Sequence, residues 1–490
     1  MLDYTKLQNG SDIRGIALPG VEGETPNLGA EATFRLTRAF LIWLSDKTNK
    51  EISKLTIAVG HDSRLSAEEL KKEIIDSALP LGVKVFDCGL ASTPAMFMTT
   101  IFEEYSCDGS IMITASHLPF NRNGFKYFDV EGGLNKSDIT KIISYAQSDI
   151  VLDLPRENVG ECEKSDLIAR YSAHLREKIV NEAGENPLKG LKIMVDAGNG
   201  AGGFYAKQVL EPLGADVSSS QFLEPDGSFP NHAPNPENKE AMASASKRLI
   251  DTKSDLGLVF DTDVDRFSAI DKDGNEINRD KIVAMAAALI AREHPGTTVV
   301  TDSITSPELT DYLENCLGLK HLRFKRGYKN VINKSIELNE AGIDSELAIE
   351  TSGHAAYREN YFLDDGAYLA TKLVIKAAQL HKVGEDVSCM IAPLKMPIED
   401  IEKRFPIDNM EEADEILDAL EHWDKIDGKR IKLVTPNYEG VRLEFDLDEV
   451  KGWCLLRKSL HDPIMPLNVQ VSKGTCADIL KLIQEVTKLG

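Results

Sequence analysis

Short apolar stretches alternate along this chain with longer segments in which apolar residues recur every three or four positions. In the first region the pattern predicts strands over 55–60, 84–89 and 110–115 and helices over about 66–79 and 93–104. Strands that alternate with helices in this way are typical of parallel sheets joined by crossover helices. The pattern therefore predicts an α/β unit.

The same alternation returns twice before the chain changes character. A run with Gly and Pro over 184–190 precedes a second unit, in which Asp273-Gly274 predicts a hairpin turn. The elements predicted for the second and third units are strands at 192–198, 256–261, 297–302, 321–326 and 346–350 and helices at 280–293 and about 364–381. The last hundred residues mix a helix near 411–423 with alternating segments such as 441–447, which is typical of an α+β domain.

A chain of 490 residues is too long for one hydrophobic core, so three α/β units and a smaller α+β domain fit its length. In open α/β sheets, ligands bind beyond the carboxyl ends of the strands. We therefore expect functional side chains directly after the strands at 110–115, 256–261 and 346–350.

Composition excludes several classes of function. Acidic residues outnumber basic ones by 79 to 56, and the net charge of −23 repels a phosphate backbone, so nucleic-acid binding is not expected. Seven cysteines, an odd count without a CxxC pair, suggest neither a disulfide framework nor a zinc site. The N-terminus lacks the pattern of a signal peptide, and no apolar run approaches the roughly 18 residues of a membrane span. We expect a cytoplasmic protein without a membrane partner.

Ser116 and His117 follow the predicted strand at 110–115, and Lys126 lies ten residues beyond the serine. A serine at a strand exit beside an imidazole can act as an activated nucleophile, and a lysine can stabilise negative charge or serve as a base. The alternative is a serine that merely caps the next turn, which is the commoner case for a lone serine. Pro119 and Gly124 shape a loop rather than a helix and favour the functional interpretation.

Asp261, Asp263 and Asp265 alternate directly after an apolar strand and are followed by Arg266. Carboxylates in this pattern can converge on one hard cation, and Mg²⁺ needs few protein oxygens because it often takes a phosphate oxygen as well. An EF-hand would need Gly at loop position 6 and Glu at position 12, where this chain has Arg266 and Lys272. The pattern predicts a Mg²⁺ site, and a solvated acidic turn is the alternative.

Two later segments carry polar groups suited to a sugar phosphate. Residues 350–354 combine a carboxylate, hydroxyls and an imidazole around a glycine, a set suited to sugar hydroxyls, although a capped loop fits this segment equally well. Arg457, Ser459 and His461 cluster after a predicted strand, and a guanidinium fork with a hydroxyl is suited to phosphate. An ordinary basic surface turn is the alternative there.

Residues 198–203 satisfy GxGxxG between a strand and a predicted helix, which could indicate a dinucleotide site. The nearest candidate for a ribose-binding acid, Glu224, is followed at once by Pro225. A tight strand-to-helix turn that needs small residues is the better interpretation.

Together these segments resemble the α-D-phosphohexomutase family of phosphomannomutases and phosphoglucomutases, in content and in order along nearly the whole chain. The resemblance rests on an arginine loop with Arg14, a GxDxR segment with Asp62 and Arg64, the serine loop at 114–119, a signature at 226–236, the DxDxDR loop at 261–266, Gly-aromatic-Lys at 327–329 and ExSGH at 350–354. The chain departs from the family where Leu118, Ile349 and Leu460-His461-Asp462 replace Asn, Gly and Asn-Thr-Glu, and where Asn468 replaces a common basic residue.

The resemblance implies a fold class: three mixed α/β/α sandwich domains followed by a smaller α+β domain, with the active site in the central cleft. On this basis we expect a phosphoserine-bearing domain at 1–155, a metal-binding domain at 156–277, a sugar-binding domain at 278–388 and a phosphate-binding C-terminal domain at 389–490.

The resemblance also implies an activity, that of a phosphohexomutase, an isomerase that interconverts the 1- and 6-phosphates of mannose, glucose or both. A phosphoryl group on Ser116 would pass to the substrate, giving a hexose 1,6-bisphosphate whose other phosphate returns to the serine. The implied cofactors are one Mg²⁺ ion and the hexose 1,6-bisphosphate. The implied partners are small hexose phosphates, and the chain would be a monomer or homodimer.

The resemblance assigns site residues to three groups. The metal ligands are Ser116, Asp261, Asp263 and Asp265. The catalytic residues are Ser116, the acid/base candidates His117 and Lys126, and the phosphate-stabilising Arg14 and Arg266. The substrate-binding residues are Lys329, Glu350, Ser352, His354, Arg457, Ser459 and His461. A phosphoglucosamine mutase is the nearest alternative, and a Mg²⁺-dependent sugar phosphatase or a non-catalytic sugar-phosphate binder is more distant.

Overall fold

The computed structural model describes residues 3–154, 159–459 and 463–489. By packing, the chain divides into two compact units, the first comprising Met1–Ile282 and Ser352–Cys389 and the second Val283–Thr351 and Met390–Gly490. Short 3₁₀ helices lie at Tyr4–Leu7, Ile52–Lys54, Leu79–Leu81, Asp149–Val151, Glu211–Leu213 and Arg358–Asn360. The division into four domains stays a prediction.

The first unit begins with a mixed sheet covered by helices. Its elements are β1 (Gln8–Asn9), β2 (Asp12–Ile16), α1 (Ala30–Thr48), β3 (Thr56–His61), α2 (Ala67–Ala78), β4 (Lys84–Leu90), α3 (Thr93–Met98), β5 (Gly109–Ile113), β6 (Arg122–Asp129), β7 (Gly132–Gly133), α4 (Lys136–Gln147) and β8 (Cys162–Lys164). The strand order is β1-β2-β6-β5-β3-β4-β8, with β7 beside β6. β3 pairs in parallel with β4 and β5, as the alternating pattern predicts, whereas β6 is antiparallel to β5 and β2.

Helix α1, which covers this sheet, is the main element here that the sequence pattern did not predict. It is buried along most of its length, and its ring of Phe40 stacks on Tyr127 with 4.6 Å between centroids. Its arginines Arg35 and Arg38 are buried too, because their guanidinium groups donate to the carbonyls of Ala146 and Val151. A helix without a clear polar face gives little amphipathic signal.

Helix α3 ends at Met98, earlier than the predicted 104. The hydroxyls of Thr99 and Thr100 donate to the carbonyls of Met96 and Phe97, at 2.7 and 2.8 Å. Such side-chain bonds to the preceding turn offer the backbone an alternative to further helix.

The rest of the first 282 residues builds a second sheet. Its elements are α5 (Leu167–Ala183), β9 (Ile193–Asp196), a π-helix (Tyr205–Leu210), α6 (Lys239–Thr252), β10 (Leu256–Phe260), β11 (Phe267–Asp271) and β12 (Glu276–Ile277). The order is β12-β11-β10-β9, with β9 and β10 parallel and β10 and β11 antiparallel. The hairpin predicted around Asp273-Gly274 joins β11 to β12, and Gly274 has a φ of 84° that favours glycine.

Helix α7 (Asp280–Ile290) leads into the second unit, whose first part contains β13 (Thr298–Thr301), α8 (Pro307–Asp311), a π-helix (Tyr312–Cys316), β14 (Lys320–Arg323), α9 (Tyr328–Glu340) and β15 (Leu347–Ile349). β13 pairs in parallel with both β14 and β15. The chain then returns to the first unit with β16 (Ala355–Tyr357), β17 (Leu363–Asp364) and α10 (Gly366–His381), in which β16 and β17 are antiparallel. The short α11 (Ser388–Ile391) begins in the first unit and ends in the second.

The C-terminal part of the second unit is an antiparallel sheet with two helices on it. Its elements are β18 (Glu399–Pro406), α12 (Met410–Glu421), β19 (Ile431–Leu433), β20 (Val441–Asp446), β21 (Lys451–Leu456), β22 (Ile464–Lys473) and α13 (Cys476–Thr487), in the order β18-β22-β21-β20-β19. The predicted class, α/β followed by α+β, is confirmed. Among the described residues, no helix combines the length and the apolarity needed to cross a membrane.

Candidate active site

The predicted nucleophile, Ser116, lies in the loop between β5 and β6 and is only 5% exposed. Its φ of 49° is left-handed, a conformation rare outside glycine and common at functional sites. The serine N–H donates to Thr114 Oγ1 at 2.8 Å. Its Oγ lies 3.0 Å from Asp261 Oδ2 and 3.3 Å from His117 Nδ1. The structure thus places the serine beside the imidazole and beside one of the predicted metal ligands.

Arg64 stabilises this loop through hydrogen bonds, a role that the sequence did not predict. Its buried guanidinium donates to the carbonyl oxygens of Ser116, Leu118, Pro119 and Arg122. Its Nε lies 3.3 Å from Asp62 Oδ2, and both side chains are fully buried. An arginine that donates to several carbonyls of one loop fixes the path of that loop, and with it the position of the serine.

Arg14 reaches the same loop from the neighbouring strand β2. Its Nη1 donates to the carbonyl of Thr114, and its Nη2 lies 2.8 Å from Asp12 Oδ2. The approach requires Gly124, because a Cβ there would lie 2.0 Å from the carbonyl oxygen of Ile13. Arg14, predicted to stabilise the phosphate, therefore binds the serine loop two residues before Ser116.

The carboxylates of Asp261, Asp263 and Asp265 converge after β10. One oxygen of each lies within 4.8 Å of the other two, and all three side chains are buried. Thr93 holds the middle carboxylate, since its Oγ1 lies 2.5 Å from Asp263 Oδ2 and its N–H donates to the Asp263 carbonyl at 2.8 Å. Burial, together with repulsion from the other two carboxylates, raises the pKa of Asp261 well above its usual range.

This cluster fits a hard divalent cation. Among the residues that the structure describes, Asp263 Oδ1 and Asp265 Oδ1 are buried and have no hydrogen-bond partner. Buried oxygens without a partner are costly, and a cation bound by oxygen ligands would satisfy both. The alternative of a solvated acidic turn is wrong, because the three carboxylates are inaccessible to solvent.

Lys126 on β6 partly compensates the charge of this cluster. Its Nζ lies 2.9 Å from Asp263 Oδ2 and also contacts Asp265 Oδ2. Although burial raises the pKa of Asp265, the ammonium group of Lys126 holds that pKa below its usual range. Lys126, which lies ten residues after the serine, therefore belongs to the carboxylate cluster.

Arg266 follows the metal loop and is oriented by His354. Arg266 Nε donates to His354 Nε2 at 2.8 Å, and His354 Nδ1 lies 2.5 Å from Asp364 Oδ2. Arg266 Nη1 lies 3.6 Å from Glu237 Oε2. The imidazole predicted to bind sugar is thus buried beneath an arginine. Ser352 of the same motif is buried as well, and its Oγ has no partner within the described ranges.

His117 is surrounded by positive charge. Arg266, burial and Arg14 lower the pKa of His117 to about 2, so its imidazole is neutral at physiological pH. A neutral ring beside Ser116 Oγ is a weak base and a hydrogen-bond partner rather than a cation.

Two predicted sugar contacts come together in the second unit. Glu350 follows β15 and accepts a hydrogen bond from the N–H of Gly327 at 2.7 Å. Gly327 precedes α9 with a φ of 108°, which favours glycine, and Lys329 lies in the first turn of that helix. Glu350 therefore fixes the turn that carries Lys329.

The predicted phosphate-binding segment begins directly after β21. Arg457 is buried, its Nη1 lies 3.9 Å from Glu439 Oε1, and its Nε has no partner among the described residues. The N–H of Ser459 donates to the Ile464 carbonyl at 3.0 Å. His461 lies outside the described residues.

The roles of two site residues, Arg64 and Asp364, could not be predicted from the sequence, for different reasons. Arg64 stands in the GxDxR segment, but its role depends on carbonyls more than fifty residues away. Asp364 precedes Asp365 at the start of a predicted helix, where acidic residues are ordinary caps.

The glycines at 198–203 support packing rather than a nucleotide, since a Cβ at Gly200 would lie 2.6 Å from the carbonyl oxygen of Thr262.

Three family models match this chain, described as alpha/beta/alpha domains I, II and III of phosphoglucomutase/phosphomannomutase. They cover residues 5–150, 169–274 and 278–392.

Similar proteins carry related names. A phosphomannomutase/phosphoglucomutase from Pseudomonas putida is 30% identical over 465 residues, which cover 94% of this chain and 91% of that protein. A phosphoglucosamine mutase from Sulfurovum is 30% identical over 458 residues, which cover 88% of this chain and 96% of that protein. The crystal structure of a phosphoglucomutase/phosphomannomutase family protein from Burkholderia thailandensis matches with a TM-score of 0.79 and 27% identity, over 98% of this chain and 97% of the other.

Proposed function

This chain belongs to the phosphoglucomutase/phosphomannomutase family, and we propose that it interconverts hexose 1-phosphate and hexose 6-phosphate through a phosphorylated Ser116. Mannose and glucose phosphates are the proposed substrates, which makes the enzyme an isomerase. The observation that carries the proposal is a buried serine hydroxyl 3.0 Å from one of three converging carboxylates. Monomer or homodimer and a cytoplasmic location stay predictions.

The carboxylates of Asp261, Asp263 and Asp265 and an oxygen on Ser116 would hold a Mg²⁺ ion. When bound, such an ion offsets the negative charge that gathers on the phosphoryl oxygens during transfer. The support is the pair of buried carboxylate oxygens without partners and the oxygen-only donor set.

In the proposed transfer, the bond between Ser116 Oγ and phosphorus breaks while a bond forms between phosphorus and a sugar hydroxyl oxygen. The hydroxyl gives its proton to a base, and Ser116 Oγ takes up a proton as it leaves. Lys126 and His117 are the candidates for these two proton transfers. The guanidinium groups of Arg14 and Arg266 would stabilise the charge on the moving phosphoryl group.

The remaining predicted residues are assigned to the substrate. We propose that Lys329, Glu350 and Ser352 bind the sugar, and that Arg457, Ser459 and His461 bind the phosphate that does not react. His354 would serve the same site through Arg266, because both of its ring nitrogens are already bonded, to Arg266 and to Asp364. Support comes from buried polar atoms without partners among the described residues, Ser352 Oγ and Arg457 Nε. A hexose 1,6-bisphosphate formed in the first transfer would then reorient and return its other phosphate to Ser116.

A phosphoglucosamine mutase is the second candidate. A relative of that name matches this chain at 30% identity, the same identity as the phosphomannomutase/phosphoglucomutase of Pseudomonas putida. Glucosamine 1-phosphate therefore belongs in the same assay as the glucose and mannose phosphates.

The test is Ser116→Ala, assayed for conversion of glucose 1-phosphate to glucose 6-phosphate with released phosphate measured in parallel. We expect turnover to fall by orders of magnitude, because the covalent route runs through Ser116 Oγ. Intact mass should show one phosphate of ~80 Da on the wild type and none on the variant. Ser110→Ala is a matched control, since Ser110 is also buried but donates to the Met96 carbonyl.

A phosphate that survives Ser116→Ala would place the nucleophile elsewhere. Stoichiometric release of free phosphate without isomerised product would identify a phosphatase instead of a mutase.

A further inference from the structure

We propose that Asp364 is a positioning residue for phosphoryl transfer. Its carboxylate fixes His354 as the tautomer protonated on Nδ1, so that Nε2 accepts the Nε–H of Arg266 and sets the plane of the guanidinium group. This inference deepens the proposed function and rests on it, because the group that Arg266 would face is the phosphoryl group on Ser116.

The direction of the hydrogen bonds follows from the chemistry of the three groups. A guanidinium group has five N–H donors and no acceptor, so Arg266 can only donate. At 2.8 Å from Arg266 Nε, the Nε2 atom of His354 must present a lone pair. The ring proton then lies on Nδ1, which donates to Asp364 Oδ2 at 2.5 Å. The geometry thus selects one tautomer of the neutral ring.

Burial strengthens the preference for this tautomer, because it keeps water away from the hydrogen-bonded groups. His354 is 6% and Asp364 is 7% exposed, so water is a poor substitute for either partner. Asp364 Oδ1 has no hydrogen-bond partner in the part of the chain that the structure describes. A buried carboxylate that leaves one oxygen unsatisfied costs stability, which is unexpected for a residue whose purpose is structural.

The neighbouring Asp365 shows what a structural acid does at this place. It caps α10 by accepting from the N–H of Tyr368 at 2.8 Å, and it accepts from the hydroxyl of Tyr171 at 2.6 Å and from Asn360 Nδ2 at 3.1 Å. The two adjacent aspartates therefore have separate tasks: Asp364 bonds to His354, whereas Asp365 caps the helix.

A metal ion between these groups is the alternative that the residue types suggest. Ligand atoms of Asp265, His354 and Asp364 lie within 4.8 Å of one another. However, 2.5 Å between His354 Nδ1 and Asp364 Oδ2 is a hydrogen-bond distance and leaves no room for an ion between them. The Asp265 Oδ1 atom lies 3.9 Å from the same nitrogen and is the second negative group that faces it.

The consequence for catalysis concerns the orientation of Arg266. With Nε held by the imidazole, the guanidinium plane is fixed, and the fork can act on transferring phosphoryl oxygens without reorganising. In an amide variant at position 364, the NH₂ group can donate to Nδ1 and move the ring proton to Nε2, where it would oppose Arg266 Nε–H. A misplaced guanidinium should slow transfer about 100-fold.

The experiment combines tautomer and rate measurements on the full chain. Long-range ¹H–¹⁵N correlation of ¹⁵N-histidine-labelled protein reports the protonated ring nitrogen, and His354→Gln assigns the signal among the 10 histidines. Asp364→Asn should lower kcat about 100-fold with KM changed less than about threefold, and should remove the Nδ1–H pattern. Asp365→Asn, the matched control, should lower thermal stability and leave both the tautomer and kcat as in the wild type.

A wild-type ring that is protonated on Nε2, or on both nitrogens, would overturn the proposal even if Asp364→Asn fails to fold. Wild-type kcat in a folded Asp364→Asn would overturn it as well. If the wild type shows the Nδ1–H tautomer but no mutase turnover with any of the three hexose phosphates, the proposed function fails while the hydrogen-bond chain stands.

Discussion

Replacement of Arg64 by methionine should displace the serine loop and destabilise the first unit at the same time. The guanidinium group donates to four carbonyl oxygens between Ser116 and Arg122 and pairs with the buried Asp62 at 3.3 Å. Methionine has a similar length and no donor. The variant therefore leaves a buried carboxylate and several loop carbonyls without their partner.

The size of the effect follows from the buried ion pair. Removal of one partner of such a pair typically costs about 3–5 kcal/mol, because the remaining charge stays buried. At ~2 °C per kcal/mol for a large domain, the melting temperature of the first unit should fall by about 6–10 °C. Arg64→Lys keeps the charge but lacks the planar fork, so an intermediate loss is expected.

The stability loss should depend on pH in a defined direction. Burial raises the pKa of Asp62 above its ordinary value, although Arg64 opposes the shift. A carboxyl group with a higher pKa in the folded than in the unfolded state destabilises the fold once it ionises, so stability falls as pH rises above about 4. Without Arg64 the pKa of Asp62 rises further. The gap in melting temperature between wild type and Arg64→Met should therefore widen from pH 5 to pH 8.

Differential scanning calorimetry at both pH values, with kcat measured at each, checks this prediction. Arg430→Met is the control, because Arg430 forms an exposed ion pair with Asp448, which is worth ~1 kcal/mol or less. We expect kcat of Arg64→Met to fall at least tenfold, since a 1 Å displacement of a reacting group can cost ~100-fold. Melting temperatures and kcat of Arg64→Met that match those of Arg430→Met would refute the role of Arg64.

Two further predictions concern the metal and the phosphate-binding segment. Asp263→Asn should weaken Mg²⁺ dependence and turnover together, and full wild-type turnover in excess EDTA would contradict the metal assignment. Arg457→Ala should raise KM for a hexose phosphate at every pH, because it removes a charge-assisted bond. KM of the wild type should rise from pH 6 to pH 8, around the ordinary His pKa of roughly 6.5, and His461→Thr should flatten that rise. Since phosphate titrates in the same range, the comparison is made at each pH, and identical profiles would exclude His461 as a ligand.

The parts of the site that sequence could predict are those fixed by local pattern. Ser116 and Asp261 each follow an apolar strand, and the rule that ligands gather at strand ends was enough to expect a functional side chain at each place. Their 3.0 Å contact could not follow from that rule, because β5 and β10 belong to different sheets; only the family resemblance implied it. The hydrogen bonds that orient the site join residues far apart in sequence, for example 10 positions from His354 to Asp364 and 88 from Arg266 to His354. Residue type alone favoured a sugar contact for His354, because nothing local indicates a buried partner.

The glycine-rich segment at 198–203 shows why a correct local motif can point to the wrong ligand. A phosphate site needs glycine because glycine lets the backbone approach the phosphate closely. A neighbouring loop that packs closely needs glycine for the same reason. Here the neighbour is the metal loop: a Cβ at Gly200 would lie 2.6 Å from the carbonyl oxygen of Thr262, and one at Gly353 would lie 2.4 Å from that of Phe267. Gly366 adds a third such contact, 2.8 Å from the Arg266 carbonyl. Backbone from 198–203 and from 353–366 thus packs closely against the loop and the strand that follows it, which stabilises a backbone that must keep mutually repelling carboxylates together.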